Sequence, residues 1–241
     1  GATTGSGIST SIDFNEGFKA TDSAGTNSTS VGSADLDSAA TTGYGTMYVK
    51  KSIPTLALVT TGYTANTVAT GAALYRFSMT ADSANTIEWK KLTLSVATTG
   101  VDLTAITLYD VTSGSAVAVN SVATSSDVLG TSIAIYAGTM ANDTVQSIAA
   151  GSTKVYELRG TIGAVAPWGN SGDQITFSFA EDTTAVVANS SANLTTNMIW
   201  SDRAATSHTT ITSDWTNGYL IKDTTSDTRT CQYGTATTCT P

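Results

Sequence analysis

Apolar and polar residues alternate through the central part of the chain, and this period of two predicts a series of short β-strands. The stretch ALYRFSMT shows the pattern well, because Tyr75, Phe77 and Met79 fall on one face of an extended chain. Turn signals containing Gly and Ser separate such stretches. The predicted strands cover 46–50, 55–60, 73–80, 86–96, 103–111, 116–119, 131–136, 154–160 and 175–179.

The predicted strand 86–96 contains a change of register. Ile87 and Trp89 share one face, whereas Leu92 and the apolar residues that follow it share the other. Lys90 and Lys91 lie between the two sets. An extra residue in one strand of a pair has this effect, so the pattern predicts a β-bulge or a strand bend at the two lysines.

Strands spaced by 10–20 residues, with no convincing amphipathic helix, predict an all-β fold. We expect an Ig-like or jelly-roll-type β-sandwich with an extended N-terminal arm. The arm covers 1–45, the sandwich core covers 46–182, and closing strands with a C-terminal tail cover 183–241. The apolar residues of the last segment suit closing strands of the same sandwich or a small second lobe. The best helix candidate is 141–150, which is short and weakly periodic.

The polar arm contains one segment with strand periodicity. Ile8, Ile12 and Phe14 fall on one face at period two, which predicts a strand over 8–14 with no hairpin partner beside it. Two interpretations stay open. The strand pairs within its own sandwich, or it adds to an open sheet edge of a neighbouring subunit, as in donor-strand complementation.

Composition narrows the setting of the protein. The chain has 47 Thr and 28 Ser, and only 12% of its residues are charged, against about a quarter in typical globular domains. Thr packs well on half-exposed strands, and disordered chains are richer in charge. A surface of hydroxyls with few charges favours an extracellular setting or a packed assembly.

The net charge of −8 and the sequence pI near 4.4 argue against nucleic acid and against docking on anionic lipid. No apolar run approaches the ~20 residues of a spanning helix, so we expect no membrane span. The chain begins at Gly1, as expected after removal of a signal peptide, although a cloning scar gives the same start.

Cys231 and Cys239 lie close together in sequence, and a disulfide between them is expected in an oxidising compartment. Free thiols or a zinc site are the alternatives, but zinc would need two more ligands and the only histidine, His208, supplies one at most. Four Asn-X-Ser/Thr sequons permit glycosylation. They begin at Asn27, Asn142, Asn189 and Asn193.

Several short segments together carry a resemblance to a known class of proteins. They are Leu74-Tyr-Arg-Phe-Ser, the run from Glu88 to Val96, Ile106-Thr-Leu-Tyr-Asp-Val, Ile199-Trp-Ser-Asp, Ser207-His and Asp214-Trp-Thr-Asn-Gly-Tyr. Over 72–220 the chain resembles Thr/Ser-rich β-sandwich domains of secreted bacterial surface proteins. The resemblance implies a surface-layer-like or filament-forming role, and it supplies no catalytic residues.

Candidate catalytic and metal-binding residues are few. A Ser-His-Asp triad would have to use His208, and the chain has no Gly-x-Ser-x-Gly motif. The pairs Asp35 with Asp37, and Glu181 with Asp182, could serve a glycosidase or bind calcium, but solvated loop carboxylates are the simpler interpretation. We therefore expect no enzyme activity, no metal and no cofactor.

Trp168 lies in a loop-like Pro-Trp-Gly-Asn segment, which makes it the best candidate for a glycan contact. Trp89, Trp200 and Trp215 suit core or interface positions. The leading function is a structural subunit of an extracellular filament or surface layer that assembles with copies of itself through the arm. The alternative is a monomeric adhesin or carbohydrate-binding module.

Overall fold

The chain forms two compact units, 1–50 and 51–241. We describe the fold from a computed structural model. The residues that it describes are 7–8, 20–21, 27–28, 47–48, 50–61, 66–67, 72–117, 132–137, 145–164, 173–188, 195–221, 227–232 and 238–240.

The described residues of the first unit form four two-residue strands in two antiparallel pairs. They are β1 (Gly7–Ile8), β2 (Ala20–Thr21), β3 (Asn27–Ser28) and β4 (Met47–Tyr48). β1 pairs with β4, so that Ile8 lies opposite Met47, and β2 pairs with β3. Ile12 and Phe14 lie outside the described residues, and the strand over 8–14 stays a prediction.

The second unit is built from fourteen described strands and one 3-10 helix, Gly218–Leu220. The strands follow one another along the chain with turns and loops between them. They are β5 (Thr55–Leu58), β6 (Asn66–Thr67), β7 (Ala72–Thr80), β8 (Ile87–Thr99), β9 (Val101–Asp110), β10 (Ser115–Ala116), β11 (Ser132–Tyr136), β12 (Gln146–Ile148), β13 (Thr153–Ala164), β14 (Asp173–Phe179), β15 (Met198–Ser201), β16 (Trp215–Asn217), β17 (Asp227–Gln232) and β18 (Thr238–Thr240).

These strands form two antiparallel sheets that pack together, which confirms the predicted all-β sandwich. The smaller sheet has the order β10-β9-β13-β7-β5. In the larger sheet, hydrogen-bonded neighbours follow the path β16-β15-β8-β14-β17-β18-β6. β11 and β12 also pair with β8, on the edge opposite β15 and β14. The described residues include no helix whose length and apolar character would allow it to cross a bilayer.

The long strand β8 organises the larger sheet. β15 and β14 pair with successive halves of one edge, and β12 and β11 pair with successive halves of the other. Trp89 lies opposite Trp200, and Lys91 lies opposite Ile199, which leaves Lys90 as an extra residue. The predicted bulge at the two lysines is confirmed, and it lets apolar residues on both sides of it face the core.

The core between the sheets contains the apolar faces of both. Trp89 of β8 and Tyr156 of β13 are fully buried, and the Trp89 indole N–H donates to the Tyr156 hydroxyl at 3.2 Å. Burial raises the pKa of the Tyr156 hydroxyl well above its usual value, despite that hydrogen bond. The neighbouring rings of Phe77 and Phe179 meet edge to face with centroids 4.9 Å apart. This aromatic cluster ties the two sheets together.

The helix candidate over 141–150 was wrong where the structure describes it. Gln146–Ile148 forms β12, which pairs with Ile87–Trp89 of β8. The edge of β8 supplies backbone partners that a weakly periodic decapeptide cannot supply for itself, and Ile148 becomes 99% buried in the core.

Candidate functional site

The outer face of the larger sheet carries a cluster of charged side chains that the sequence did not bring together. Ile87 and Trp89 are buried in the core, so Glu88 between them points to the opposite face. The connection between β15 and β16, residues 202–214, lies against this face and meets Glu88 and Lys90. The cluster therefore joins a sheet face to a long loop.

His208 occupies the centre of the cluster. Its Nδ1 atom lies 2.8 Å from Oδ2 of Asp214, and its Nε2 atom lies 2.9 Å from Oε2 of Glu88. Ionised carboxylates only accept hydrogen bonds, so the ring satisfies both of them at once when both nitrogens carry protons. In that state His208 cross-links the loop to β8.

Asp214 is held by several donors at the end of the loop. Its Oδ1 atom accepts from the Thr212 hydroxyl, and its Oδ2 atom accepts from the Ala205 N–H at 3.2 Å. Burial alone would raise the pKa of Asp214. The hydrogen bonds from Thr212, Ala205 and His208 together outweigh that effect, so the pKa lies below its usual value. Asp214 is therefore a stable anion at neutral pH.

Lys90, the extra residue of the bulge, fastens the same loop. Its ammonium donates to the Thr210 carbonyl and lies 4.0 Å from the centroid of the Trp215 ring. The Trp215 indole N–H donates to the Thr209 carbonyl at 2.8 Å. Trp215 is fully buried and packs with Ile199 in a small apolar cluster on this face. A cation over an aromatic ring gains more when both are shielded from water.

Lys91 and Asp182 belong to a second polar region of the larger sheet. The Lys91 ammonium donates to the Thr196 carbonyl at 2.5 Å. Burial lowers the pKa of Lys91, and the charge of Asp182 raises it in part. Asp182 accepts from the N–H groups of Asn197 at 2.7 Å and Gly218 at 2.8 Å. The carboxylate thus joins the chain after β14 to the starts of β15 and the 3-10 helix.

Beside His208 an open depression of about 470 Å³ faces solvent. Arg203 lines it in a left-handed backbone conformation, with φ at 50°. The Arg203 N–H donates to the Ser201 hydroxyl at 2.9 Å, and its Nε atom lies 3.4 Å from Oε1 of Glu88. The other polar lining residues are Asn85, Thr86, Thr206 and Ser207.

The predicted site residues fall in different places. The backbone register places Cys231 directly opposite Cys239 in the β17–β18 pair, where Cα atoms of facing residues are about 4.5–5.5 Å apart, as a disulfide requires. The disulfide stays a prediction. Asn27 lies in β3. The other predicted residues lie outside the described part of the chain, namely Trp168, Asn142, Asn189, Asn193, Asp35 and Asp37.

Of the two paired carboxylates that the structure describes, Asp182 makes the backbone contacts given above and Glu181 is exposed. A Ser-His-Asp triad would have to use His208, and both of its nitrogens face carboxylates. In this arrangement neither nitrogen faces a serine hydroxyl.

The sequence missed Glu88, Lys90, Arg203 and Asp214 as members of one cluster. A usable signal was the concentration of charge, Glu88 with two lysines, inside an otherwise apolar strand of a weakly charged chain. Within the described residues, no group of three or more His, Cys, Asp or Glu side chains is arranged to hold a metal ion. No protein-family model, curated protein or solved structure matches the chain.

Proposed function

We propose that the chain is a structural subunit of an extracellular filament or surface layer, in which residues 8–14 of one copy add as a β-strand to a sheet edge of the next. The observation that carries this proposal is the open outer edge of β5, the last strand of the smaller sheet. Within the part of the chain that the structure describes, β5 pairs with β7 alone. A head-to-tail contact that does not close into a ring grows into a fibre.

The backbone of β5 presents hydrogen-bonding groups along that edge. The Val59 N–H donates to the Arg76 carbonyl at 3.0 Å. Hydrogen-bonded pairs alternate along an antiparallel ladder, so Ala57 and Thr55 also form such pairs with β7. Leu56 and Leu58 are the intervening residues, and their N–H and C=O groups point away from β7. An added strand would pair with these groups.

The side chains at this edge favour an apolar partner. Leu56 and Leu58 pack against the main core but are only partly buried. A narrow slot opens beside Leu56 between the two sheets, with Phe179 and Met198 in its walls. An incoming strand with apolar residues at period two, as 8–14 has, would cover the leucines and close the slot.

In the single chain, Ile8 already lies opposite Met47 in the β1–β4 pair. The proposed assembly exchanges this two-residue pair for a longer ladder on the neighbour's β5, as in strand swapping. The hydroxyl-rich surface supports close packing of copies, because few charges must then lose their water. The same composition supports the cell surface or the extracellular space as the location.

Electron microscopy of the whole chain at rising concentration tests the proposal. We expect regular filaments or sheets from the wild type and none from Ile12→Asp, because the new carboxylate would have to be desolvated on the donor face. Ser11→Asp is the matched control. It places the same charge on the opposite face of the predicted strand, so it should assemble like the wild type.

A mixing experiment identifies the direction of assembly. Ile12→Asp copies keep their β5 edge but cannot donate an arm, so a minor fraction of them should end growing filaments and shorten them. Ser11→Asp copies should enter without shortening. Wild-type protein that stays monomeric at every concentration, or filaments of unchanged length in the Ile12→Asp mixture, would refute strand addition through the arm.

A further inference from the structure

We infer that the depression beside Arg203 binds a carboxylated saccharide, with the guanidinium of Arg203 holding the carboxylate. This site goes beyond the proposed assembly role, since it lies on the loop of the larger sheet and involves neither β5 nor the arm. Three properties of the depression carry the inference. They are an open guanidinium fork, a strained backbone at the same residue, and a ring of side-chain hydroxyls around it.

The guanidinium of Arg203 has unused donors. Its Nε atom lies 3.4 Å from Oε1 of Glu88, and its two terminal nitrogens donate no hydrogen bond to a described residue. The side chain is 43% exposed and lines the depression. A guanidinium fork matches the two oxygens of a carboxylate with parallel hydrogen bonds, a geometry that lysine cannot supply.

The backbone at Arg203 is held in a costly conformation. A φ of 50° suits glycine or asparagine, and a long side chain rarely adopts it. The Ser201 hydroxyl accepts from the Arg203 N–H and helps to hold this conformation. In this conformation the residue lines the depression, and strained residues of this kind cluster at binding sites.

The other lining groups suit a ligand with many hydroxyls. Thr86, Thr206 and Ser207 have side-chain hydroxyls with no partner among the described residues. The Asn85 amide nitrogen donates to the Asp202 carbonyl at 2.6 Å, which leaves the amide oxygen as an acceptor. Sugar hydroxyls both donate and accept, so they match this set better than a lone acidic side chain would.

Size and charge agree with this ligand class. About 470 Å³ falls within the range of roughly 300–1,000 Å³ typical of small-molecule sites. Glu88 lies behind the depression, against Nε of Arg203 and the ring of His208. The exposed end of the guanidinium is therefore the group that would attract an anionic ligand. In a chain of net charge −8, attraction for an anion must be local, and added salt should weaken it.

The test titrates the whole chain with trigalacturonic acid and, separately, with its methyl ester, and follows amide NMR signals. We expect saturable shifts at 85–86 and 203–208 with the acid and none with the ester. Arg203→Gly suits the positive φ, which offsets the lost contact with Glu88, so the variant should stay folded, yet bind the acid at least about tenfold more weakly. Arg203→Lys keeps the charge but loses the fork, and it should fall between the two.

Two further variants separate the site from general charge effects. Ser207→Ala removes one free hydroxyl and should weaken binding a few-fold without changing the fold. Arg159→Gln removes one guanidinium from the outer face of the smaller sheet and should leave binding unchanged.

Absence of shifts with the acid, equal binding of acid and ester, or unchanged binding by Arg203→Gly would each overturn the inference. If the NMR signal of Arg203 shifts with protein concentration and not with added trigalacturonic acid, the depression binds a carboxylate of a neighbouring copy. That result would also overturn the inference. Binding and assembly are measured separately, because electron microscopy of the same samples shows whether filaments form. A failure of the binding inference is therefore distinguishable from a failure of the proposed assembly.

Discussion

Each sheet of the sandwich carries one buried glutamate on its outer face, held by two basic side chains. Glu157 of β13 is 2% exposed and lies between Arg76 and Arg159. Glu88 of β8 is 8% exposed and lies between Arg203 and His208. The two arrangements look alike, but their partners come from different parts of the fold.

The Glu157 cluster is built into sheet register. Arg76 of β7 lies directly opposite Glu157 and bonds to it, and Arg159 is two residues along the same strand with its guanidinium 3.6 Å from the centroid of the Tyr109 ring. Arginines stay charged at all practical pH values. Once the sheet forms, this cluster forms with it.

The Glu88 cluster depends on a loop and on protonation. Arg203 and His208 both lie in the loop 202–214, and His208 satisfies its two carboxylates only with both ring nitrogens protonated. One buried carboxylate is therefore a fixed part of its sheet, while the other fastens a loop to its sheet.

The largest effect is expected from Glu157→Gln. The change leaves two arginines facing a neutral amide, and loss of one partner from a buried ion pair costs about 3 kcal/mol. We expect the free energy of unfolding in urea to fall by that amount. Glu181→Gln is the matched control, because Glu181 is exposed and should change stability by less than about 0.5 kcal/mol. Equal effects of the two changes would contradict the interpretation of Glu157.

Gly160→Ala tests how tightly the strand that carries Glu157 is packed. A Cβ at 160 would lie 2.9 Å from Leu74 Cδ1 and 3.2 Å from the Thr104 carbonyl oxygen, and overpacking of this kind costs about 1–3 kcal/mol. Thermal and urea unfolding should both show the loss. Leu74→Val shortens the obstructing side chain, so a double-mutant cycle should show positive coupling. Strict additivity would place the clash elsewhere.

Glu88→Gln should have a smaller effect than Glu157→Gln. It removes charge-assisted bonds to a loop that still holds through Lys90 and Trp215, so we expect a loss of about 1–2 kcal/mol at neutral pH. Hydrogen exchange should show faster opening of 202–214 and unchanged protection in β13. A loss as large as that of Glu157→Gln would break the proposed distinction between the two clusters.

The smallest expected effect is a pH dependence of the free energy of unfolding that arises from Asp214 in the loop 202–214. The pKa of Asp214 lies below its usual value of about 3.9, so its contribution to stability is present above that pH and is lost as pH falls through the lower folded pKa. The stability difference between wild type and Asp214→Asn should therefore shrink from pH 4 downwards. A constant difference from pH 7 to pH 2 would show that Asp214 is not stabilised as an anion.

The pattern of the sequence predicted the sandwich and even one of its irregularities. The shift of apolar residues across Lys90 and Lys91 indicated a bulge, and the bulge lies there because an extra residue reverses the alternation locally. The helix candidate over 141–150 failed because no local signal shows that β8 offers a free edge to Gln146–Ile148. The cluster on the outer face depends on contacts of the same distant kind.

The order of residues is enough to assign which side chains of the central strands enter the core, because alternation is a property of the backbone over neighbouring residues. Tyr75, Phe77 and Trp89 are buried as their positions require. Only the tertiary structure decided that Glu88 meets His208, 120 residues further along the chain. Such a contact depends on how a loop crosses a sheet, and no periodicity along the chain records that path.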